Sequence, residues 1–311
     1  MNRKLTLREV IESEPIIMCP EIYDCISAKA VEMCNFKAIL LSSAEFSCSR
    51  LGQPDLGFHS IDDLVHATYF ISRVTHLPLI VDADDCFGSP MKTYAACERM
   101  VNAGAAGILI TDSGDNGVIE MEDAIARFKA AKTAMEGSDC MLIARCDINP
   151  YTNFDEACER CNAYVDAGAD MTLIVNINAD FYSDKVELCK RISERVKGWK
   201  MYPDLGAHDG KPDVDIDKIA PFGFRLVGIH YTLYAAFEGM LDYGHHIYKD
   251  RSNVYQNVHN KPGYKFSSPP VFFGIEDGKW EKIEEKFIDN PKKRRMPRLR
   301  EFFMNNISGL K

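Results

Sequence analysis

The sequence predicts an α/β fold of the (β/α)8, TIM-barrel type, and three observations carry that expectation. Eight short apolar runs alternate with amphipathic helical stretches, the count that a closed barrel of parallel strands requires. The segment Val101-Asn102-Ala103-Gly104-Ala105-Ala106-Gly107-Ile108-Leu109-Ile110 is echoed, 64 residues on, by Val165-Asp166-Ala167-Gly168-Ala169-Asp170-Met171-Thr172-Leu173-Ile174, a spacing of two β/α units. No glycine-rich phosphate loop follows an early strand, as an open doubly wound sheet would usually show.

In chain order the expected strands are Ile16–Cys19, Ala38–Ser42, Leu79–Ala83, Gly107–Thr111, Met141–Arg145, Thr172–Asn176, Lys200–Pro203 and Arg225–His230. Each is a short, largely apolar run, the pattern of a strand buried on both faces. Between them, Ile61–Val74, Lys92–Ala103, Met121–Met135, Asp155–Ala167 and Asp184–Val196 place apolar residues at helical spacing. Gly104 and Gly168 are expected to end their helices in the left-handed conformation just before the next strand. After about residue 250 the character changes. Residues 251–270 are rich in Asn, Ser, Pro and Gly, followed by a charged helical segment, Gly278–Phe287, and a basic run, Pro291–Arg300. The expected organisation is a barrel domain over 1–250 and a C-terminal extension over 251–311, for which a subunit interface is one of the open roles.

Composition narrows the classes. The chain has 311 residues, 46% hydrophobic and 27% charged, with a formal net charge of -9. That suits a soluble protein with a large core and argues against nucleic acid as a partner. The basic run is better read as a solvated face or subunit contact beside so many carboxylates. No apolar run reaches the roughly 18 residues of a membrane span, and the N-terminus lacks the apolar segment of a signal peptide. Eleven cysteines, mostly within apolar or helical pattern, fit a reducing compartment, so a cytoplasmic location is expected. Cys158 and Cys161 have CxxC spacing but lie in a helical pattern with no second pair to complete a zinc site.

The chemistry concentrates at Leu79-Ile80-Val81-Asp82-Ala83-Asp84-Asp85-Cys86-Phe87-Gly88. Carboxylates at the C-terminal end of a buried strand suit a hard divalent cation. Asp82 and Asp84 are two apart, so on a regular strand both face one side. Helix capping is the plain alternative for a single Asp, but three acidic residues in four positions exceed what a cap needs. Tyr23, Asp24, Ser42, Ser43, Asp55, Asp112, Arg145 and Asp147 also fall at or beyond expected strand ends, where a barrel gathers its active site. Arg145 ends an apolar strand, where an unpaired guanidinium is costly. It pairs with neighbouring carboxylates, clamps a substrate carboxylate in bidentate fashion, or does both.

These motifs resemble the isocitrate lyase/phosphoenolpyruvate mutase superfamily. The resemblance rests on Tyr23-Asp24 with Ser27-Ala28, Ser42-Ser43-Ala44, Leu51-Gly52-Gln53-Pro54-Asp55-Leu56-Gly57, Val81-Asp82-Ala83-Asp84, Ile143-Ala144-Arg145 with Asp147, and Gly223-Phe224-Arg225-Leu226-Val227. It implies a barrel whose last helix is exchanged between subunits of a homodimer or homotetramer. It also implies Mg2+, with Mn2+ as the alternative ion, and small 2-oxo or 2-hydroxy acid substrates that react through an enolate. By the same resemblance Asp82 and Asp84 are metal-associated, Tyr23, Ser42, Ser43 and Arg145 hold the substrate carboxylate and enolate oxygen, and Asp55 belongs to the Pro-Asp loop. Tyr23, Asp55 and Arg145 are then the expected catalytic residues.

The departures redirect the expected reaction. Family lyases carry Glu-Asp at the end of strand four and a loop with Lys-Arg-Cys-Gly-His, whose Cys serves as acid/base. Here Thr111-Asp112 is followed by the shorter Ser113-Gly114-Asp115-Asn116-Gly117-Val118, and the mutase Lys-Thr-Asn-Ser loop is absent too. Strand six ends in Val175-Asn176, and the strand-seven Asn region is Met201-Tyr202-Pro203-Asp204-Leu205. The leading expectation is therefore a Mg2+-dependent carbon–carbon lyase or an oxaloacetate-type decarboxylase, the latter needing no dedicated Cys. Phosphonate P–C mutase or hydrolase chemistry, and a non-catalytic ligand-binding barrel, are the alternatives. Cys86, His208 and His230 are candidate proton donors by position alone.

Overall fold

Runs of Val, Ile and Leu too short to be helices, each followed by an amphipathic helix, bury both strand faces by closing into a barrel. The computed structural model describes residues 4–252, 255, 279–298 and 301. Its strands are β1 (Ile17–Ile22), β2 (Ile39–Leu41), β3 (Leu79–Asp82), β4 (Gly107–Thr111), β5 (Met141–Cys146), β6 (Met171–Ile174), β7 (Trp199–Asp204) and β8 (Phe224–Ile229). All eight are parallel and pair in sequence order, with β8 closing on β1 from Ile17 opposite Leu226 to Pro20 opposite Ile229. The expected (β/α)8 barrel is the observed fold.

The helices of the barrel unit include α1 (Leu7–Ser13), α2 (Cys25–Met33), α3 (Ser43–Phe46), α4 (Ile61–Val74), α5 (Pro90–Ala103), α6 (Met121–Ala134), α7 (Phe154–Asp166), α8 (Lys185–Arg195) and α9 (Ile216–Ile219), and α10 (Thr232–Asp250) follows β8 in the chain. Gly104 and Gly168 take φ of +109° and +108°, the left-handed turns expected from the echoed segment. The helix α1 was not foreseen. Thr6 opens it with a capping box to Glu9, and Leu7, Val10 and Ile11 bury against the barrel's inward-facing residues. Cys158 and Cys161 are buried on α7.

β1 runs three residues beyond the expected end at Cys19. Pro20 lies within it, opposite Ile229 of β8. At β8, Gly228 is obligatory. A Cβ there would lie 1.9 Å from the Pro203 carbonyl oxygen, because β7 and β8 close up across a register irregularity.

The chain divides into two compact units, residues 1–234 and 235–311. The barrel lies in the first. The second contains most of α10 and a further helix, α11 (Lys279–Phe287), where the charged helical segment was expected. Beyond α11 the basic run folds back, with the backbone N–H groups of Arg295 and Met296 donating to Glu284. Most of the Asn/Ser/Pro/Gly-rich stretch lies outside the described residues. Among the described residues no helix is long and apolar enough to cross a membrane.

Gly228→Ala tests the β7–β8 closure. The clash is with backbone, so the substitution should cost on the order of 3 kcal/mol in urea denaturation. A midpoint equal to that of the parent chain would refute the account.

Candidate active site

Side chains alternate along a strand, so every second residue of each barrel strand points inward. Ile17, Cys19, Leu40, Ile80, Leu109, Met141, Ile143, Met171, Leu173, Met201 and Leu226 form one apolar plug inside the barrel. One step further toward the strand C-termini, the inward positions turn polar: Glu21, Ser42, Asp82 and Arg145, then His230 after β8. With Asp55 and Asp204 these residues line a pocket of about 210 Å3 floored by Leu40, Leu109, Leu173 and Met201.

On one side lie the two expected carboxylates. Ser43 Oγ sits 3.1 Å from Asp82 Oδ2 and 3.0 Å from Asp84 Oδ1, and the Asp84 backbone N–H donates to Asp82 Oδ1 at 3.3 Å. They converge by a different route from the one expected. β3 ends at Asp82, and Asp84, Cys86 and Phe87 take φ of +48°, +53° and +65°, a left-handed bend rather than a continued pleat. Such backbone is costly for non-glycine residues and is concentrated at functional sites. His59 Nε2 approaches Asp84 Oδ2 at 3.4 Å, and its other ring nitrogen is 3.2 Å from Ser47 Oγ. Burial lowers the His59 pKa despite Asp55 and Asp82 nearby. Burial raises Asp82 against the pull of Arg145, and burial with the charges of Asp82 and Asp55 pushes Asp84 up to about 8.

Arg145 is fixed by Asp147, to which Nε donates at 2.7 Å and Nη2 at 3.3 Å. Ser113 Oγ donates to the same carboxylate at 2.8 Å. The structural pairing open at the sequence level is therefore present, and Arg145 still lines the pocket. Asp112 turns away from the site. It is fully buried, accepting from Tyr164 Oη at 2.6 Å and from the Asp147 backbone N–H at 2.9 Å, with Arg160 at 3.5 Å.

The opposite wall was not read from the sequence, apart from His230. His230 Nδ1 is 3.1 Å from Glu21 Oε2 and 3.2 Å from Glu45 Oε1. Its Nε2 is 3.2 Å from Asp204 Oδ1, off the line of a hydrogen bond, and that oxygen is sealed from water without a donor. Thr232 Oγ1 lies 3.0 Å from Glu45 Oε2. Burial alone would lower the His230 pKa, but Asp204, Glu45 and Glu21 outweigh it and lift it to about 11. Burial pushes Glu21 up to about 8, with His230 opposing. The ligating atoms of Glu21, Asp204 and His230 all lie within 4.8 Å, a spacing that could take a metal ion. As the side chains stand, each ring nitrogen faces a carboxylate, so the ring is an imidazolium with no lone pair to give.

Of the expected site residues, the structure gathers Ser42, Asp55, Asp82 and Arg145 around one pocket, with Ser43 joining Asp82 to Asp84. Tyr23 is not among that pocket's lining residues. It lines a separate cavity of about 310 Å3 with Phe46, Arg50, His66 and Phe70. Asp24 caps α2 through the Ser27 N–H. Cys86 is buried near Cys97, and His208 packs on Phe181 and Tyr182, so His230 alone of the three proton-donor candidates lines the pocket. Thr111 Oγ1 accepts from the Ser113 N–H at 3.2 Å.

The family model described as phosphoenolpyruvate phosphomutase matches residues 7–243. A 2-methylisocitrate lyase from Aeropyrum pernix is 30% identical over 241 residues, 75% of each chain. An oxaloacetate decarboxylase from Paraburkholderia xenovorans is 28% identical over 178 residues, 54% of this chain and 60% of the decarboxylase. Among solved structures, a phosphonopyruvate hydrolase in complex with oxalate and Mg2+ superposes with a TM-score of 0.77, covering 93% of this chain and all of the hydrolase at 20% identity.

The raised carboxyls fix the sign of a pH effect. Unfolded Asp84 and Glu21 lose their protons near their model values of 3.8 and 4.5, whereas the folded chain holds both protons to about 8. The unfolded state thus binds fewer protons, and stability should fall as pH rises from about 4 to 8. Urea midpoints at pH 5 and pH 8, without divalent cations, should show the lower value at pH 8. Asp84→Asn should reduce the difference and leave the part due to Glu21, and a rise toward pH 8 would contradict it.

Proposed function

The chain belongs to the isocitrate lyase/phosphoenolpyruvate mutase superfamily, and from that premise we propose that it is a Mg2+-dependent carbon–carbon lyase or oxaloacetate-type decarboxylase. Its substrate on this reading is a small 2-oxo or 2-hydroxy (di)carboxylate that reacts through an enolate. The observation that carries the reading is the small pocket of about 210 Å3 lined by Asp82, which Ser43 joins to Asp84, and by the Arg145 guanidinium.

The donor set fits Mg2+. Asp82 and Asp84 offer hard oxygen atoms, and both carboxyls are raised because burial leaves them short of positive charge. Arg145 cannot fully supply that charge, since Asp147 holds its Nε and Nη2. Asp82 and Asp84 would hold the ion, which when bound withdraws electron density from a 2-oxo carboxylate and favours the enolate.

The chain's own residues do the rest. Arg145, oriented by Asp147, directs its remaining N–H donors at a substrate carboxylate. Ser42 lines the same pocket, and the plug of Leu40, Leu109, Leu173 and Met201 excludes water from below. Charge that develops on the enolate oxygen meets donors already fixed in place, which is where such a site gains most. Asp55, on the exposed loop before α4, adds negative charge on the Asp82–Asp84 side. Tyr23 reaches substrate only if the pocket and the neighbouring cavity join on binding.

The named relatives, a 2-methylisocitrate lyase and an oxaloacetate decarboxylase, bracket the reaction. The matched family description favours P–C chemistry as the second reading. The subunit arrangement proposed is a homodimer or homotetramer, supported by the exposed apolar residues Tyr234, Phe237, Met240 and Leu241 on α10. A cytoplasmic location remains part of the proposal.

A panel of oxaloacetate, 2-methylisocitrate and 2,3-dimethylmalate, followed by pyruvate or propionate release, tests the reading. Turnover of at least one acid should require Mg2+ and fall about 10²–10³-fold in Arg145→Lys. Phosphate release from phosphonopyruvate by phosphorus NMR would move P–C chemistry to first place, and inertness toward every acid would overturn the lyase reading.

A further inference from the structure

We propose that Glu21 is the acid that protonates the enolate, with His230 as its positioning partner. The inference rests on the enolate reading above.

An enolate released inside a barrel needs a proton, and the segment after β4 offers neither Cys nor His to supply one. It is a two-residue-per-strand hairpin, Ser113–Gly114 with Gly117–Val118. The donor must come from the pocket wall. Among its polar lining residues, Arg145 is held by Asp147, Asp82 belongs to the carboxylate pair, and the Ser42 hydroxyl caps α3 by accepting from the Glu45 N–H. Asp55 lies on an exposed loop. That leaves Glu21, Asp204 and His230.

Geometry separates these three. Asp204 has one oxygen sealed and its side chain 42% exposed, so it sits at the rim. His230 is tied to three carboxyl groups, and giving up its proton would leave Glu45 and Asp204 without a cation. Glu21 is different. It continues the inward register of Ile17 and Cys19, is 7% exposed, and reaches the pocket from a rigid strand. Burial keeps its carboxyl protonated to about 8, which makes it a neutral acid at physiological pH. The groups facing it are His230 after β8, Asp204 on β7, Ser42 after β2 and Asp82 on β3.

In the step, the O–H bond of Glu21 breaks and a C–H bond forms at the enolate carbon. The Glu21 carboxylate left behind is paired with the His230 imidazolium 3.1 Å away. His230 is 31% exposed, so a proton from solvent water passes along this edge and restores the acid.

Deuterium exchange into the methyl group of pyruvate, followed by proton NMR with Mg2+ present, runs the step in reverse. Here Glu21 acts as a base, so the wild-type rate should rise with pH and level off above about 8. Glu21→Gln should lose about 10²–10⁴-fold in exchange while oxalate affinity stays within about threefold, as expected of an acid/base rather than a binding group. His230→Gln, which removes the charge that lowers the Glu21 pKa, should move the limb to higher pH. That shift is one a merely structural role would not produce, and it serves if Glu21→Gln fails to fold. Wild-type exchange that survives in Glu21→Gln, or a limb unmoved in His230→Gln, would overturn the assignment. A wild-type protein that binds oxalate with Mg2+ yet exchanges nothing would overturn it too, with the site intact. One that neither binds nor exchanges would sink the enolate reading itself.

Discussion

Alternation along a strand decides which residues share the barrel interior. Once Cys19, Leu40, Ile80, Leu109, Ile143, Leu173, Met201 and Leu226 close the plug, the next inward positions form its upper surface. The chain places Glu21, Ser42, Asp82 and Arg145 there, and His230 two further steps along from Leu226. An apolar floor beneath a polar ring lowers the local dielectric without burying any strand's backbone groups unpaired. The raised carboxyls follow from that placement, because desolvation is the first cause at Glu21, Asp82 and Asp84 alike.

The ring divides its charge unequally. On the β3 side two carboxylates share one serine hydroxyl, and the nearby His59 is pushed toward its neutral form. On the β1–β8 side three carboxyl groups surround an imidazolium, supported from α3 and from Thr232. Arg145 stands at the pocket but is already oriented by Asp147. One wall thus lacks positive charge and suits a cation, whereas the other stores protons. A site that polarises an acid and then protonates the product needs both. The short hairpin after β4 and the buried carboxyl on β1 are complementary features in this account.

The fold was legible because its signal is redundant. Eight apolar runs, an echoed helix–glycine–strand segment and the absence of a phosphate loop all point the same way, and α4 spans the expected Ile61–Val74. In the pocket, the positions of Asp82, Ser42 and Arg145 followed from strand ends alone. Asp84 was placed on the correct side for a reason that does not hold, since its φ of +48° bends it there. Glu21 lies beyond the expected strand end at Cys19, although carrying the period of two onward points Glu21 inward with Cys19. Glu45 lies on a helix of four residues, too short for any periodicity to show. Asp204 lies where the β7–β8 register shifts, which no local pattern announces. Asp112 went the other way: it sits at a strand end yet serves buried pairing with Tyr164 and Arg160.

Calorimetric titration of oxalate, which mimics a pyruvate enolate, measures most directly whether the carboxylate pair and Arg145 form a working enolate site. The account predicts binding that requires Mg2+ and disappears in Asp84→Ala. Binding of equal strength without Mg2+, or none in either condition, would contradict it.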